Sequence, residues 1–431
     1  MAYVQGGVTS LDRGANQHPL AWESSVFQRM IRSRCPITAF LDIAPSETTE
    51  ASTFNWAEDD YEDLSGATTG VYDGPDLATA VGATSAVGTP VYLAVTAADA
   101  GMARANDTIT LVNTAAPAQK VNIDVRGVSV TDDANSYISG VLLEADGDDV
   151  CNDSAIAWFL SGEAEGALAE LPTAIYKDPT WYFNYCQRMG VSAEVDGREM
   201  KEKDRTNPKI WARALARSRW QMQMKRERTV VWGTRVRKAN DKTFTGGLEW
   251  FLQTYHSGNI LDYRTDTTYH ATAGATWLEG GWDFTRNLAE YLSRNTDSNE
   301  PKNIYCGSLA VEGFNRLIED RGQSDLKVRQ TDFGIAVRNL HGLNQEWRLI
   351  EHADLTAKSY LRNSMIIMEP GGVRRRYMAG RDLSFISPSE AMTNGYTWVD
   401  GRKAGWWVDE GYRWNKLESM AIVHGVGLDR A

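Results

Sequence analysis

Residues 207–232 read NPKIWARALARSRWQMQMKRERTVVW and are closed by Gly233. Asn207 before Pro208 supplies a workable N-cap and a first-turn proline, and more than twenty residues follow without a glycine. Trp211, Leu215, Arg219, Met222 and Arg226 recur at helical spacing, with Ala212, Ala216, Trp220 and Gln223 as the neighbouring stripe. Eight basic residues (Lys209, Arg213, Arg217, Arg219, Lys225, Arg226, Arg228 and, just beyond, Arg235) decorate the rest. At about 1.5 Å per residue this predicts a rod of roughly 35–40 Å. A helix of that length must lie across something large.

Upstream, a polar arm leads into a short helical stretch, Ala21–Ile31, which Pro36 is expected to end. Thr38–Ile43 and Thr53–Asp60 read as short β pieces, and the Gly- and Ala-rich passage Gly66–Pro90 as a linker. Val91–Val95, Asp107–Val112, Lys120–Val128 and Ser139–Glu144 alternate apolar and polar residues between turn signals, which predicts a small inserted β domain. Residues 156–205 return to extended structure, with aromatic Trp181–Tyr185 and alternating Gly190–Val195 before a charged stretch, Asp196–Arg205. Downstream, residues 245–370 read as α/β. Helices are expected from Gly247, over Asp283–Arg294 and over Leu309–Asp320. Strands are expected at Asn303–Cys306, Val328–Arg338, Gln345–Ile350 and Ser364–Met368. The tail is β-rich and aromatic, with Trp398, Trp406, Trp407, Tyr412 and Trp414. The fold class is α+β with an inserted small β domain.

The chain has 431 residues, 42% hydrophobic and 24% charged, enough to bury the cores of two or three domains. Its net charge of −12 is unevenly spread. Residues 41–170 carry 23 acids against three bases, whereas residues 171–250 carry 17 bases against nine acids. Opposite blocks of this kind suit complementarity between copies of one chain, and the acidity disfavours tight wrapping of nucleic acid. Four cysteines without a CxxC pair argue against zinc and a disulfide scaffold and fit a reducing cytoplasm. Met1–Arg13 is polar, so no secretory signal is expected, and no apolar run is long enough for a membrane span.

Motifs for chemistry are missing. No phosphate loop, dinucleotide fingerprint, nucleophile elbow or H-E-x-x-H helix occurs. Glu351, His352 and Asp354 form the nearest approach to a metal set, and a surface loop is the default there. The acidic run Asp59, Asp60, Glu62 and Asp63 lacks the glycine and spacing of a calcium loop. Arg374, Arg375 and Arg376 would grip phosphate or form intersubunit ion pairs, with the middle side chain opposed to its neighbours in a strand. The C-terminal tryptophans suit core or interface packing better than stacking on bases or sugars. Neither catalysis nor a cofactor or metal is expected.

The order of elements (arm, extended hairpin, very long helix, α/β domain, closing strands) resembles the major capsid protein of tailed bacteriophages, the Hong Kong 97-type fold. Short segments carry the same likeness. Thr53–Asp59 is similar to the passage after the family's arm, and Glu163–Ala167 to its "A-E-G". Asn184–Val195 is similar to its "N-Y-x-Q-I-F" strand, and Met365–Pro370 through Arg381–Leu383 to its late strand pair. The branch it resembles carries a β insertion near the extended loop.

That resemblance implies an N-terminal arm over 1–40, an extended loop over 41–77 and 157–205, and an insertion over 78–156. A peripheral domain over 206–244 and 371–431 would hold the spine helix 207–232, with an axial domain over 245–370. Copies would form hexamers and pentamers of an icosahedral head around double-stranded DNA, in the virion and assembled in the host cytoplasm. Portal and scaffolding proteins would be partners, with a decoration protein as a further one, and DNA would be touched only by weak, non-specific contact from arm residues such as Arg29, Arg32 and Arg34. No long charged extension precedes the arm, so scaffolding is expected to be separate or the arm already mature. Lys209, Arg213 and Arg217 would meet Asp59, Asp60, Glu62 and Asp63 of a neighbouring subunit, and Arg374–Arg376 would join the intersubunit contacts. No Lys–Asn–Glu trio for a covalent cross-link can be placed around Lys177, Lys201 or Lys203, so a non-covalent shell is expected. The alternative from another class is a tail or surface-binding structural protein using the β insertion and tryptophans.

Overall fold

A computed structural model describes residues 35–59, 64–82, 84–153, 155–165, 174, 178–201, 210–269, 275–294, 301–320, 328–330, 336–340, 346–387 and 401–430. It divides the chain into two compact units, Ala57–Thr180 and the remainder on either side of it. The strands Thr53–Glu58 and Thr180–Tyr185 pair with one another where the chain passes between units.

The larger unit is built on the long helix, observed over Ile210–Trp232. Against it lies the strand Gln187–Asp196, which pairs antiparallel with Gly401–Trp414 over ten residues, from Gln187 opposite Glu410 to Asp196 opposite Gly401. Val373–Met378 and Glu47–Thr49 continue this sheet, and Ser384–Ile386 pairs with Gly401–Trp414 as well. Met222 of the helix packs on Met189 and Val408 of the sheet.

A second, seven-stranded sheet runs in the order Ile260–Asp262, Ala421–His424, Met365–Met368, Lys302–Cys306, Trp347–Glu351, Ala336–Leu340, Val328–Gln330. Helices Trp277–Arg294 and Ser308–Asp320 place Phe284, Leu288, Phe314 and Leu317 on Ile304 and Ile367 of this sheet. Met365–Met368 is buried at every residue, as an unbroken apolar run requires when both faces of a strand are covered.

The unit Ala57–Thr180 holds a seven-stranded antiparallel sheet: Ser65–Thr68, Ile156–Glu163, Asp107–Asn113, Lys120–Ser129, Tyr137–Leu142, Pro90–Ala94, Gly70–Tyr72. Its strands therefore reach beyond residues 78–156 on both sides. Val91, Leu93, Ile109, Leu111, Ile123 and Ile138 form a core with essentially no exposure. Gly140 sits where a Cβ would lie 2.4 Å from Ile123 Cγ2 and 2.7 Å from the Asp124 carbonyl oxygen, so glycine suits this close approach of paired strands beside the register shift at Val125 and Gly127.

Several local expectations change. Thr38–Ile43 belongs to a helix, Pro36–Ile43, which Pro36 opens; proline suits a first turn because its missing N–H has no partner there anyway. Gly66–Pro90 is not a loose linker, because it supplies two strands and buries Val71 and Val81 in the domain core. Part of Asp196–Arg205 is the short helix Gly197–Lys201. Val328–Arg338 is two antiparallel strands rather than one. The Ala21–Ile31 helix and the Asn207–Pro208 cap lie outside the described residues.

Candidate assembly surfaces

Two adjacent charges of the long helix, Arg226 and Glu227, are fully buried. Glu227 sits at the start of the helix Pro36–Ile43, whose N-cap residue Cys35 makes no side-chain cap. The Ile37 N–H donates to Glu227 Oε1 at 3.0 Å and the Thr38 N–H to Oε2 at 2.7 Å, and the Thr38 hydroxyl donates to Oε2 too. Glu227 thus caps the helix in place of a local residue, a carboxylate against first-turn N–H groups. His352 Nε2 lies 2.8 Å from Glu227 Oε1. Because the Leu355 N–H donates to His352 Nδ1 at 3.3 Å, the proton sits on Nε2 and is donated to Glu227.

Arg226 grips two carboxylates at once. Its guanidinium donates to Glu410 at 2.7 and 3.0 Å and to Asp42 at 2.7 and 3.1 Å. Arg375 reaches Asp42 at 3.1 Å and also binds Asp382. Burial opposes the charge on Arg226, but Glu410 and Asp42 outweigh it and raise its pKa. The Tyr412 hydroxyl donates to Glu410 at 2.8 Å, and burial, with Glu410 next, holds that phenol well above its ordinary pKa. Helix Pro36–Ile43, the long helix and the closing strands are thereby tied through charges with no exposed share at Arg226 and Glu410.

This geometry re-reads several candidates. Arg374, Arg375 and Arg376 all have carboxylate partners within the chain: Arg376 binds Glu47 at 2.6 Å, Arg374 approaches it at 3.7 Å, and Arg375 is buried. The expected alternation along the strand is present. Glu351–Asp354 is not a surface loop, since His352 is buried against Glu227. Asp354 binds Arg228 at 2.7 Å and Lys358 at 3.2 Å; burial works against its charge, but these partners hold its pKa below the usual carboxylate range. Among the described residues no three His, Cys, Asp or Glu side chains are arranged to hold a metal ion. Trp414 and Tyr412 are core residues, Trp406 is half-buried under Arg219, and Trp407 is 41% exposed.

Arg213 and Arg217 are exposed and line a groove of about 360 Å³ with Ser192, Glu194, Glu199 and Gln221. Asp59 is exposed, and Lys201 lies exposed on its short helix. Lys209, Asp60, Glu62, Asp63, Lys177, Lys203 and Trp398 lie outside the described residues. Arg235 lies between the rings of Phe183 and Trp250, 3.8 and 4.1 Å from their centroids, and donates to the Phe183 carbonyl. Nothing local in the sequence marks Asp42, Glu227, Glu410 or Arg235 for these roles.

A subunit frame locked by buried charges, with Arg213 and Arg217 of its long helix left exposed, suits a shell protein, and the sequence comparison decides the matter. Residues 15–386 match the SU10 major capsid protein family. The chain belongs to that family. As an SU10-family major capsid protein it is a structural subunit of an icosahedral phage capsid, oligomerising with itself in the virion. The α+β class and the resemblance to Hong Kong 97-type phage capsid proteins are borne out. No curated protein matches this capsid protein. Among solved structures it is similar to one from Mycobacterium phage Patience, at 10% identity and a TM-score of 0.38, over 61% of this chain and 77% of that one. It is also similar to the holo-SrpI encapsulin complex from Synechococcus elongatus PCC 7942, at 14% identity and 0.37, over 58% and 77%. The capsid of cyanophage P-SCSP1u matches at 9% identity and 0.37, over 62% and 80%.

Proposed function

We propose that this capsid subunit forms hexamers and pentamers of a head that encloses double-stranded DNA, without catalysis or cofactor. The family match over residues 15–386 is the observation that carries the reading. Portal and scaffolding proteins, and a decoration protein where one is used, complete the particle, which assembles in the host cytoplasm. The long helix serves as the spine of a peripheral domain, and the two-helix, seven-stranded region as the axial domain. The unit Ala57–Thr180 stands as an insertion in the extended loop. Lys209, Arg213 and Arg217 face Asp59, Asp60, Glu62 and Asp63 of a neighbour, where opposite charge sets register more than affinity. The exposure of Arg213, Arg217 and Asp59 supports that pairing. Packaged DNA is touched weakly and without sequence preference, because a chain of net charge −12 opposes the phosphate neutralisation that drives tight binding.

Sedimentation and electron microscopy of the purified protein test the reading. Rings, tubes or shells are expected; discrete trimers, fibres or a persistent monomer with and without its partners would overturn it. Submicromolar, sequence-selective DNA binding near physiological salt would contradict the packaging role.

A further inference from the structure

After the long helix the chain forms a two-stranded hairpin, Val236–Lys238 against Lys242–Phe244, which pairs with no other strand among the described residues. An isolated hairpin is marginal in water unless something packs on it. Its root is fixed, because the Thr243 hydroxyl donates to the Cys186 carbonyl at 2.5 Å and the Thr245 N–H to Gln187 Oε1 at 3.2 Å. The rest projects. Val236 stands opposite Phe244 and Lys238 opposite Lys242, so alternation puts these four side chains on one face. Val236 and Phe244 remain 37% and 36% exposed. The face borders an open groove of about 490 Å³, lined by Val236, Lys238 and Phe244 of the hairpin with Trp232, Thr229 and Gln187.

We infer that this hairpin face is an assembly contact whose occupant is the acidic β unit, Ala57–Thr180, of a second copy of the chain. The inference rests on the capsid reading and adds a contact separate from the long helix. Charge complementarity selects the partner. The face carries Lys238 and Lys242, while Arg237 lies on the opposite face and pairs with Asp241 at 2.8 Å; residues 57–180 carry 21 acids against four bases, a balance of −17. Phosphate backbones suit the face less well, because Val236, Phe244 and Trp232 offer apolar surface that only a partner with apolar groups would cover.

One end of the β unit gathers four of these acids. The ends of Gly70–Tyr72 and Tyr137–Leu142 meet the start of Pro90–Ala94 there, as the register of these strands requires. Exposed Asp73, Asp76, Glu144 and Asp148 belong to the connections leaving that end. The hairpin's lysines would enter among these carboxylates while Val236 and Phe244 cover apolar surface beside them. Such a contact gains from low ionic strength, where exposed charges are least screened.

The test compares assembly of full-length wild type with Lys238→Glu/Lys242→Glu, Lys238→Arg/Lys242→Arg, Asp73→Lys/Asp76→Lys, and the combination of both charge reversals. Assembly is read by light scattering at low and high salt, and subunit stability by thermal melting of unassembled protein. Either reversal alone should raise the protein concentration needed for assembly roughly tenfold at low salt, with melting unchanged. The arginine variant should assemble like wild type, and the combined reversal should recover most of the loss. Equal assembly by the reversals, or loss without recovery in the combination, overturns the inference. Equal loss of monomer stability overturns it as well, since the contact would then lie within one chain. Failure of wild type to assemble both with and without its partners sinks the capsid reading instead, so the two failures are distinct.

Discussion

Glu227 accepts a hydrogen bond from the Thr38 amide at 2.7 Å across 189 residues of sequence. A carboxylate on the long helix therefore supplies the cap that the helix Pro36–Ile43 lacks locally. Glu227→Gln keeps the shape but turns an amide N–H₂ toward the donors on one of the two oxygens: the Ile37 N–H and His352 Nε2–H at Oε1, or the Thr38 N–H and hydroxyl at Oε2. Leaving buried donors unmatched costs about 2–3 kcal/mol. Urea unfolding of unassembled subunits should show that loss, with Thr38→Val costing about 1 kcal/mol. Wild-type stability in Glu227→Gln would remove the capping role.

Arg226 offers a second check, because removing one member of a buried ion set strands the others. Arg226→Met should cost about 3–5 kcal/mol, since among the described residues Glu410 would stay buried with Arg375, at 3.7 Å, and Tyr412 beside it. Adding Glu410→Gln should return at least about 1 kcal/mol of that loss. Additive losses in the double variant, measured by the same unfolding curves, would show that the pair is not coupled.

How these charges lie was not legible in the sequence, although the helix was. Its periodicity marked residues 207–232, and Ile210–Trp232 is helical. Yet Arg226 and Glu227 read like their solvated neighbours Lys225 and Arg228, because their partners stand 125–190 residues away. Pro36 was ambiguous for a related reason: proline both ends helices and opens them, and the group that caps the helix it opens, Glu227, is remote in sequence. The Gly66–Pro90 passage hid two strands because its few large apolar residues, Val71 and Val81 among them, are too sparse to give a period. The strands of the β unit with full alternation, such as Lys120–Ser129, were readable from pattern alone.

Lys302 gives the subunit a pH signature. It is fully buried, and its ammonium donates to the Leu292 and Ser419 carbonyls at 2.8 and 2.7 Å. Burial pushes its pKa down from 10.5 to about 8, with Glu369 offsetting part of the effect. Below pH 8 the group is charged in both states and the cost of burying that charge is present in full. Between about 8 and 10.5 the unfolded chain binds more protons, so this group's contribution to stability rises with pH; above 10.5 the cost is gone. Relative to Lys302→Met, wild type should gain on the order of 3 kcal/mol across that window. Buried thiols and phenols titrate in the opposite sense, so the difference between the two proteins is the quantity to measure. A flat difference between pH 7.5 and 10.5 would contradict a depressed Lys302.

The boundary of the inserted unit separates two deletions that look similar on paper. Thr53–Glu58 and Thr180–Tyr185 are paired neighbours, so a turn of two to five residues can join them as it joins the strands of a hairpin. Replacing residues 60–178 with such a turn should leave the larger unit folded, because its hydrophobic clusters draw on residues up to Trp56 and from Tyr182 onward. Replacing only residues 78–156 removes Pro90–Ala94, Asp107–Asn113, Lys120–Ser129 and Tyr137–Leu142 but keeps Ser65–Thr68, Gly70–Tyr72 and most of Ile156–Glu163. Those remnants lose most of their ladder partners, and Val71 and Trp158 lose the core that buries them. Unsatisfied strand edges of that kind promote aggregation. The longer deletion should therefore give soluble protein with a cooperative melt, and the shorter one should aggregate. The reverse order of solubility would show that the strands flanking residues 78–156 belong to the larger unit.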